Sequence, residues 1–268
     1  MLTKRLIACF DVKDGKVTKA LKFQNNIDIG RAEDIAIKVY EDKIDEIIFY
    51  DITASSDKRK IDIDMVRRVA RHVFVPFTVG GGIKSLEDMY EVLKSGAEKI
   101  SVDSMAVRNP AIITAAAKAF GSQCVVLSMQ VKKVAVTESI PSGYEIAIDG
   151  ARVFTGMDAV EWARRGEALG AGEICVNSID NDGTHKGYDT DITFKIARAV
   201  NVPIIASGGA GKPEHVAEIF RDQPDGVSGP SAAIISSMLY SPLIERNYSV
   251  KEIKEELLAR GIHMRPYV

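Results

Sequence analysis

Short apolar runs alternate with amphipathic segments along almost the whole chain. A run such as Ile47-Ile48-Phe49-Tyr50 ends at a polar residue, which is typical of a buried strand. The segments between the runs place apolar residues three or four positions apart, as in residues 31–40, which indicates helices with one buried face. Because strand and helix patterns alternate, they predict a parallel sheet.

Eight such strand–helix units predict a closed (β/α)8 TIM barrel, whose usual size is about 250 residues. An open doubly wound sheet is the alternative. We expect one domain over residues 1–268, with a hairpin inserted near residues 132–155 and a long polar loop over residues 13–30. The remaining boundaries predict strands at residues 5–12, 44–51, 99–102, 123–131, 173–178, 203–207 and 227–228, and a further strand from residue 76 that runs into Gly80-Gly81-Gly82.

The sequence pattern around this glycine turn occurs a second time in the chain. Proline, an apolar strand and glycines occur in the same order from Pro76 and from Pro203. This repetition favours a barrel built from two like halves. Glycines let backbone N–H groups approach an anion closely, so two like halves predict two phosphate sites. The ungapped register pairs Gly81 with Gly208, Gly82 with Gly209, Asp103 with Pro230, and Ser104 with Ser231.

Composition narrows the possible functions. The 268 residues carry a net charge of -2, which argues against a general nucleic-acid binder. Cys9, Cys124 and Cys175 share no CxxC spacing, so a structural zinc site is not expected. The apolar run at residues 6–9 is too short for a signal peptide or a membrane span. We expect a soluble cytoplasmic protein without metal or cofactor.

Polar residues and glycines fall where the predicted strands end. In a (β/α)8 barrel these carboxyl ends surround the active site, so their convergence predicts a ligand. The pattern fits a long substrate with a phosphate at each end. The positions are Asp11, Asp51, Thr78, Gly81, Gly82, Asp103, Ser104, Gln130, residues 178–183, residues 207–211 and residues 230–231.

Several of these motifs together resemble the cyclase subunit of imidazole glycerol phosphate synthase, a family of histidine biosynthesis. The resemblance covers nearly the whole chain. It implies a (β/α)8 barrel that takes ammonia from a glutaminase partner and converts a ribulosyl aminoimidazole carboxamide ribonucleotide with two phosphates. The products are imidazole glycerol phosphate and aminoimidazole carboxamide ribotide. The motifs are residues 5–12, 51–55, 77–83, 121–123, 178–184, 187–189 and 206–212.

The resemblance also implies roles for single residues. Asp11 matches a catalytic aspartate, and Lys19 matches a lysine of the first loop, which closes over substrate. Gly82 and Ser104 match one phosphate site, and Asp182, Gly183, Gly209 and Ser231 match the other. The candidate set for phosphate and substrate, which joins both sites to the strand ends, is Asp51, Gly81, Gly82, Ser104, Asp182, Gly183, Ser207, Gly208, Gly209 and Ser231.

Four charged residues near the strand starts match a ring that admits ammonia at the bottom of the barrel. They are Arg5, Glu46, Lys99 and Glu173. A salt-bridged barrel floor without a passage is the plain alternative. The presence of all four favours the passage and a glutaminase docked on the N-terminal face.

The chain departs from the family at three positions. Gln130 stands where the family has its second catalytic aspartate, and an amide cannot act as a carboxylate acid or base. Asp103 replaces an asparagine one strand away, so we hypothesise that its carboxylate partly substitutes. Pro230 lacks an N–H for the second phosphate. The alternatives are therefore a paralogue that uses ammonia on another substrate, such as a sugar, a catalytically inactive barrel that activates a glutaminase, and an inactivated variant of a true cyclase.

Overall fold

A computed structural model describes residues 3–21, 24–52, 61–242 and 244–266. The strands are β1 Arg5–Lys13, β2 Lys16–Leu21, β3 Gln24–Arg31, β4 Glu46–Asp51, β5 Phe77–Gly80, β6 Lys99–Val102, β7 Val125–Lys133, β8 Tyr144–Ile148, β9 Val153–Asp158, β10 Glu173–Ser178, β11 Ile204–Ser207 and β12 Ala232–Ile234. The helices are α1 Ala32–Glu41, α2 Ile63–Ala70, α3 Leu86–Lys94, α4 Ser104–Arg108, α5 Ala111–Phe120, α6 Ala159–Leu169, α7 Thr190–Ala199, α8 Pro213–Phe220, α9 Ser236–Tyr240 and α10 Val250–Ala259.

Eight of the strands form a closed parallel barrel. Their order is β1, β4, β5, β6, β7, β10, β11 and β12, and β12 pairs with β1 again. Helices lie between consecutive barrel strands. The predicted (β/α)8 barrel is therefore confirmed.

Alternation along the strands divides the core into two regions. Leu6, Ala8 and Phe10 of β1 pack toward the helices, where most of the buried apolar residues lie. Ile7 points the other way and joins a smaller cluster inside the barrel with Ile48 of β4. This period of two follows from the pleat of a strand. The interior is thus packed, and the space for a ligand lies above it.

The segment predicted as a polar loop over residues 13–30 contains the strands β2 and β3 instead. β2 pairs antiparallel with β1 and with β3. Asp14 and Gly15 turn the chain with φ angles of 50° and 74°, which is the Asp-Gly signal of a tight hairpin. Lys19 lies in β2, but its side chain, like those of residues 20–27, is outside the described part.

A second hairpin extends the barrel sheet beyond β7. β8 pairs antiparallel with the end of β7, and β9 pairs with β8. The Tyr144 hydroxyl lies 3.1 Å from Oδ1 of Asp189, the residue before α7. This bond fastens the hairpin beside the mouth of the barrel.

The last barrel strand begins later than residues 227–228, where the sequence pattern predicted it. β12 spans Ala232–Ile234. The Gly229 N–H donates to the carboxylate of Asp222, 3.1 Å away, and Pro230 has no N–H to give to a ladder. β12 therefore ends five residues later than the ungapped register predicts. Ser236, not Ser231, takes the place after β12 that Ser104 has after β6.

Candidate active site

A cavity of about 830 Å³ opens at the carboxyl ends of the barrel strands. It collects most of the residues that the sequence singled out at strand ends. Thr78, residues 178–181, Gly211, Pro230 and Ser231 are not part of the lining, and the side chain of Lys19 lies outside the described part. The lining includes Asp11, Asp51, Gly81, Gly82, Asp103, Ser104, Gln130, Asp182, Gly183, Ser207, Gly208 and Gly209.

The two glycine turns repeat each other in three dimensions. Gly81 has a φ angle of 82°, and a Cβ there would lie 2.2 Å from the backbone oxygen of Asp51. Gly208 has a φ angle of 92°, and its Cβ would lie 2.9 Å from the backbone oxygen of Ser178. Asp51 and Ser178 are the last residues of β4 and β10. In both turns a side chain would clash with the backbone at the end of the neighbouring strand. Both turns therefore expose their backbone to the cavity.

Ser231 lies at the opposite end of the barrel from these turns. Its hydroxyl is 3.0 Å from Nη2 of Arg5, and its backbone oxygen accepts the Arg5 N–H. The structure thus corrects the assignment of Ser231 to a phosphate site, and the missing N–H of Pro230 has no bearing on that site. Ser236 and Ser237 line the cavity instead. The position of Ser236 two residues after an apolar strand was the available signal.

Gln130 and Asp11 belong to β7 and β1, which are opposite strands of the barrel. Beside Gln130, Asp103 follows β6, and Nε2 of Gln130 donates to Oδ2 of Asp103 at 2.6 Å. Burial raises the pKa of Asp103 to about 7, although the bond from Gln130 lowers it. Oε1 of Gln130 is buried and has no hydrogen-bond partner among the described residues.

Cations from two further elements reach the rim, and the sequence reasoning missed them. Arg108 at the end of α4 forms an ion pair with Asp149 of the β8–β9 turn. Arg152 from the same turn also lines the cavity. The Asp149 N–H donates to the Ser104 hydroxyl at 2.9 Å. The hairpin therefore brings positive charge and a polar backbone next to the first glycine turn.

Uncharged polar groups line the bottom of the cavity. The Tyr50 hydroxyl lies 3.2 Å from the hydroxyl of Ser101 and 3.3 Å from that of Ser128. Burial raises the pKa of the Cys175 thiol to about 12, so this cysteine stays a neutral thiol at physiological pH. These groups can pass a small neutral hydrogen-bonding molecule but do not attract an ion.

The four charged residues predicted near the strand starts form a closed ring. Arg5 lies 2.5 Å from Glu46 and 2.5 Å from Glu173. Lys99 lies 3.2 Å from Glu46 and 2.9 Å from Glu173. Each cation bridges both carboxylates, so the ring is mutually neutralised although it is largely buried.

The model of a family described as "Histidine biosynthesis protein" matches residues 5–245. The chain belongs to this family.

Relatives within the family match end to end. An imidazole glycerol phosphate synthase subunit HisF from Desulfatibacillum aliphaticivorans is 55% identical over 99% of this chain and 98% of its own length. Proteins of the same name from Solidesulfovibrio magneticus and Syntrophobacter fumaroxidans are 55% and 54% identical, each over 99% of both chains. The resemblance to the cyclase-subunit family is therefore confirmed.

Two features are absent from the described residues. None of the helices there is long and apolar enough to cross a bilayer. The same residues contain no group of three or more His, Cys, Asp or Glu side chains that could hold a metal ion.

Proposed function

We propose that this chain is the ammonia-dependent cyclase, a carbon–nitrogen lyase, of imidazole glycerol phosphate synthase in histidine biosynthesis. Its substrate is the bis-phosphorylated ribulosyl aminoimidazole carboxamide ribonucleotide, and it acts in the cytoplasm. The observation that carries the proposal is the pair of bare glycine turns on opposite sides of one cavity. A substrate with a phosphate at each end uses both turns, whereas a substrate with a single phosphate leaves one without purpose.

Charge and hydroxyl groups support a phosphate at each turn. Gly81, Gly82 and Ser104 serve the first phosphate, with Arg108 and Arg152 at the rim above it. Gly208, Gly209 and Ser236 serve the second, together with Asp182 and Gly183 of the neighbouring loop. Backbone N–H groups and arginine are strong phosphate partners. Between the two sites, Asp11 is the carboxylate that we assign to proton transfer.

We propose further that ammonia enters through the ring of Arg5, Glu46, Lys99 and Glu173 from a glutaminase docked on the N-terminal face. The relatives' names call them subunits of a synthase. Phe74 precedes β5 on this face and is 75% exposed, so it offers a large apolar side chain that a docked subunit would cover. The uncharged hydroxyls above the ring suit neutral ammonia better than ammonium.

An inactive barrel that only activates a glutaminase would need the floor ring but not the cavity. The Asp103–Gln130 pair and the two glycine turns have no use in such a protein. These features favour catalysis over the purely activating role.

The test is turnover of the ribulosyl substrate by the purified chain with an ammonium salt as nitrogen source at pH 8.5. We expect imidazole glycerol phosphate and aminoimidazole carboxamide ribotide in equal amounts. Substrate that binds but is not converted, together with stimulation of an added glutaminase, would instead establish the activating role.

A second prediction concerns the ring. Replacing Lys99 by Met removes one bridging cation, which opens the ring and leaves Glu46 and Glu173 with Arg5 alone. We expect glutamine-dependent turnover in the complex to fall about tenfold relative to ammonia-dependent turnover. The control is Lys251→Met on α10, an exposed lysine outside the ring. Equal loss of both activities would contradict a role in ammonia transfer.

A further inference from the structure

One feature of the cavity is not explained by phosphate binding. Asp103 and Gln130 lie on neighbouring barrel strands and share one short hydrogen bond, 2.6 Å from Nε2 to Oδ2. Both residues line the cavity. The amide oxygen of Gln130 is nevertheless buried without a partner among the described residues. Buried polar atoms are normally satisfied, so the pair is complete only in another state or with a ligand.

We propose that Asp103 and Gln130 form a proton-carrying pair in which the Gln130 amide turns over when Asp103 gains a proton. The ionised carboxylate accepts from Nε2, as the structure has it. A protonated Asp103 instead donates its O–H to Oε1 of Gln130. The two ends of an amide have nearly the same shape, so a half-turn about one side-chain bond makes the exchange. The pair then presents an N–H group in one state and a carbonyl oxygen in the other.

The charges around Asp103 allow both states at neutral pH. Burial, together with the carboxylate of Asp149 from the hairpin, raises its pKa to about 7. Arg108 of α4 and the bond from Gln130 lower it. The Cys175 thiol of β10 is the other titratable neighbour, and it stays neutral. A group with this pKa can take up and return a proton within one turnover.

The pair fits the first step of the proposed function, on which this inference rests. Ammonia adding to a carbonyl carbon gives an ammonium nitrogen and an alkoxide oxygen. One N–H bond breaks as the proton moves to the Asp103 carboxylate, and the new O–H bond then breaks as the proton moves to the alkoxide. A neutral carbinolamine results and Asp103 is again ionised, so the step consumes no additional reagent.

Variants that keep the shape of the pair test this role. Asp103→Asn removes only the carboxyl, and we expect kcat with ammonia to fall at least 100-fold. The titration near pH 7 should vanish from the kcat profile, while the Kd for imidazole glycerol phosphate stays within threefold. Asp103→Asn combined with Gln130→Glu exchanges carboxyl and amide at their native lengths. This double variant should recover at least tenfold and regain a titrating limb.

A kcat within threefold of wild type and an unchanged pH profile in Asp103→Asn would overturn the proposal. Nuclear magnetic resonance of the wild-type chain without substrate gives a readout that does not depend on activity. The Asp103 carboxyl carbon and the Gln130 side-chain amide should titrate with one midpoint near pH 7, and the amide should become insensitive to pH in Asp103→Asn. If the Gln130 amide resonance of the wild type does not change with pH, the proton-carrying role of the pair is refuted, even if the chain is an active cyclase. A chain without turnover whose amide titrates refutes only the proposed function.

Discussion

At the scale of single residues, the site depends on a carboxyl held where it is costly to ionise. Asp103 has a pKa of about 7 because protein atoms replace its water, whereas an aspartate in an unfolded chain has a pKa of about 4. Between these values the folded chain binds more protons than the unfolded chain. The free energy of unfolding that Asp103 contributes therefore falls as the pH rises from about 4 to about 7.

Asp103→Asn should remove this loss, since asparagine does not titrate and can still accept the bond from Gln130. We expect the variant to be more stable than wild type by on the order of 2 kcal/mol at pH 8 and by less at pH 5. That corresponds to about 4–8 °C in Tm for a chain of this size. Differential scanning calorimetry at both pH values measures it. A Tm difference that is the same at pH 5 and pH 8 would contradict the raised pKa.

At the scale of elements, the second half of the barrel is defined by where β12 begins. Ser236 follows β12 at the cavity, whereas Ser231 precedes it on the floor beside Arg5. Ser236→Ala should weaken binding of imidazole glycerol phosphate about tenfold, because one hydrogen bond to a charged group contributes about 1.5 kcal/mol. Ser231→Ala is the matched control and should leave the Kd unchanged. Titration calorimetry compares them, and the reverse order of effects would restore the ungapped register.

The same element marks the limit of sequence-based prediction here. Seven barrel strands and both glycine turns follow from local patterns, because buried strands and positive φ angles leave signals in neighbouring residues. The start of β12 depends on Gly229 bonding Asp222, seven residues away in the sequence and in another turn. The Asp103–Gln130 bond and the arginines at the rim join separate strands or loops. Contacts of this kind leave no periodic pattern in the sequence.

At the scale of the whole molecule, residues near the C-terminus bond to residues near the N-terminus. Lys254 of α10 lies 2.7 Å from Asp45, which also accepts the Leu6 N–H at 2.8 Å, and both charged side chains are buried. The Lys4 N–H donates to the backbone oxygen of His263. Because Asp45 and Leu6 adjoin Glu46 and Arg5, this clamp also supports the floor ring.

Lys254→Met should destabilise the chain by about 3 kcal/mol, since it leaves the Asp45 carboxylate buried without its cation. Lys254→Met together with Asp45→Asn removes both charges and should cost clearly less. Urea unfolding at pH 7.5 measures both. If the double variant loses as much free energy of unfolding as Lys254→Met and Asp45→Asn lose together as single variants, the two residues do not act as an ion pair.

The most direct measurement is a crystal structure with the bis-phosphorylated ribulosyl substrate, without ammonia. We expect one phosphate on Gly82 and Ser104 and the other on Gly209 and Ser236, with the linking carbons between Asp11 and the Asp103–Gln130 pair. Both phosphates on one side of the cavity, or a substrate bound outside it, would contradict the proposed function.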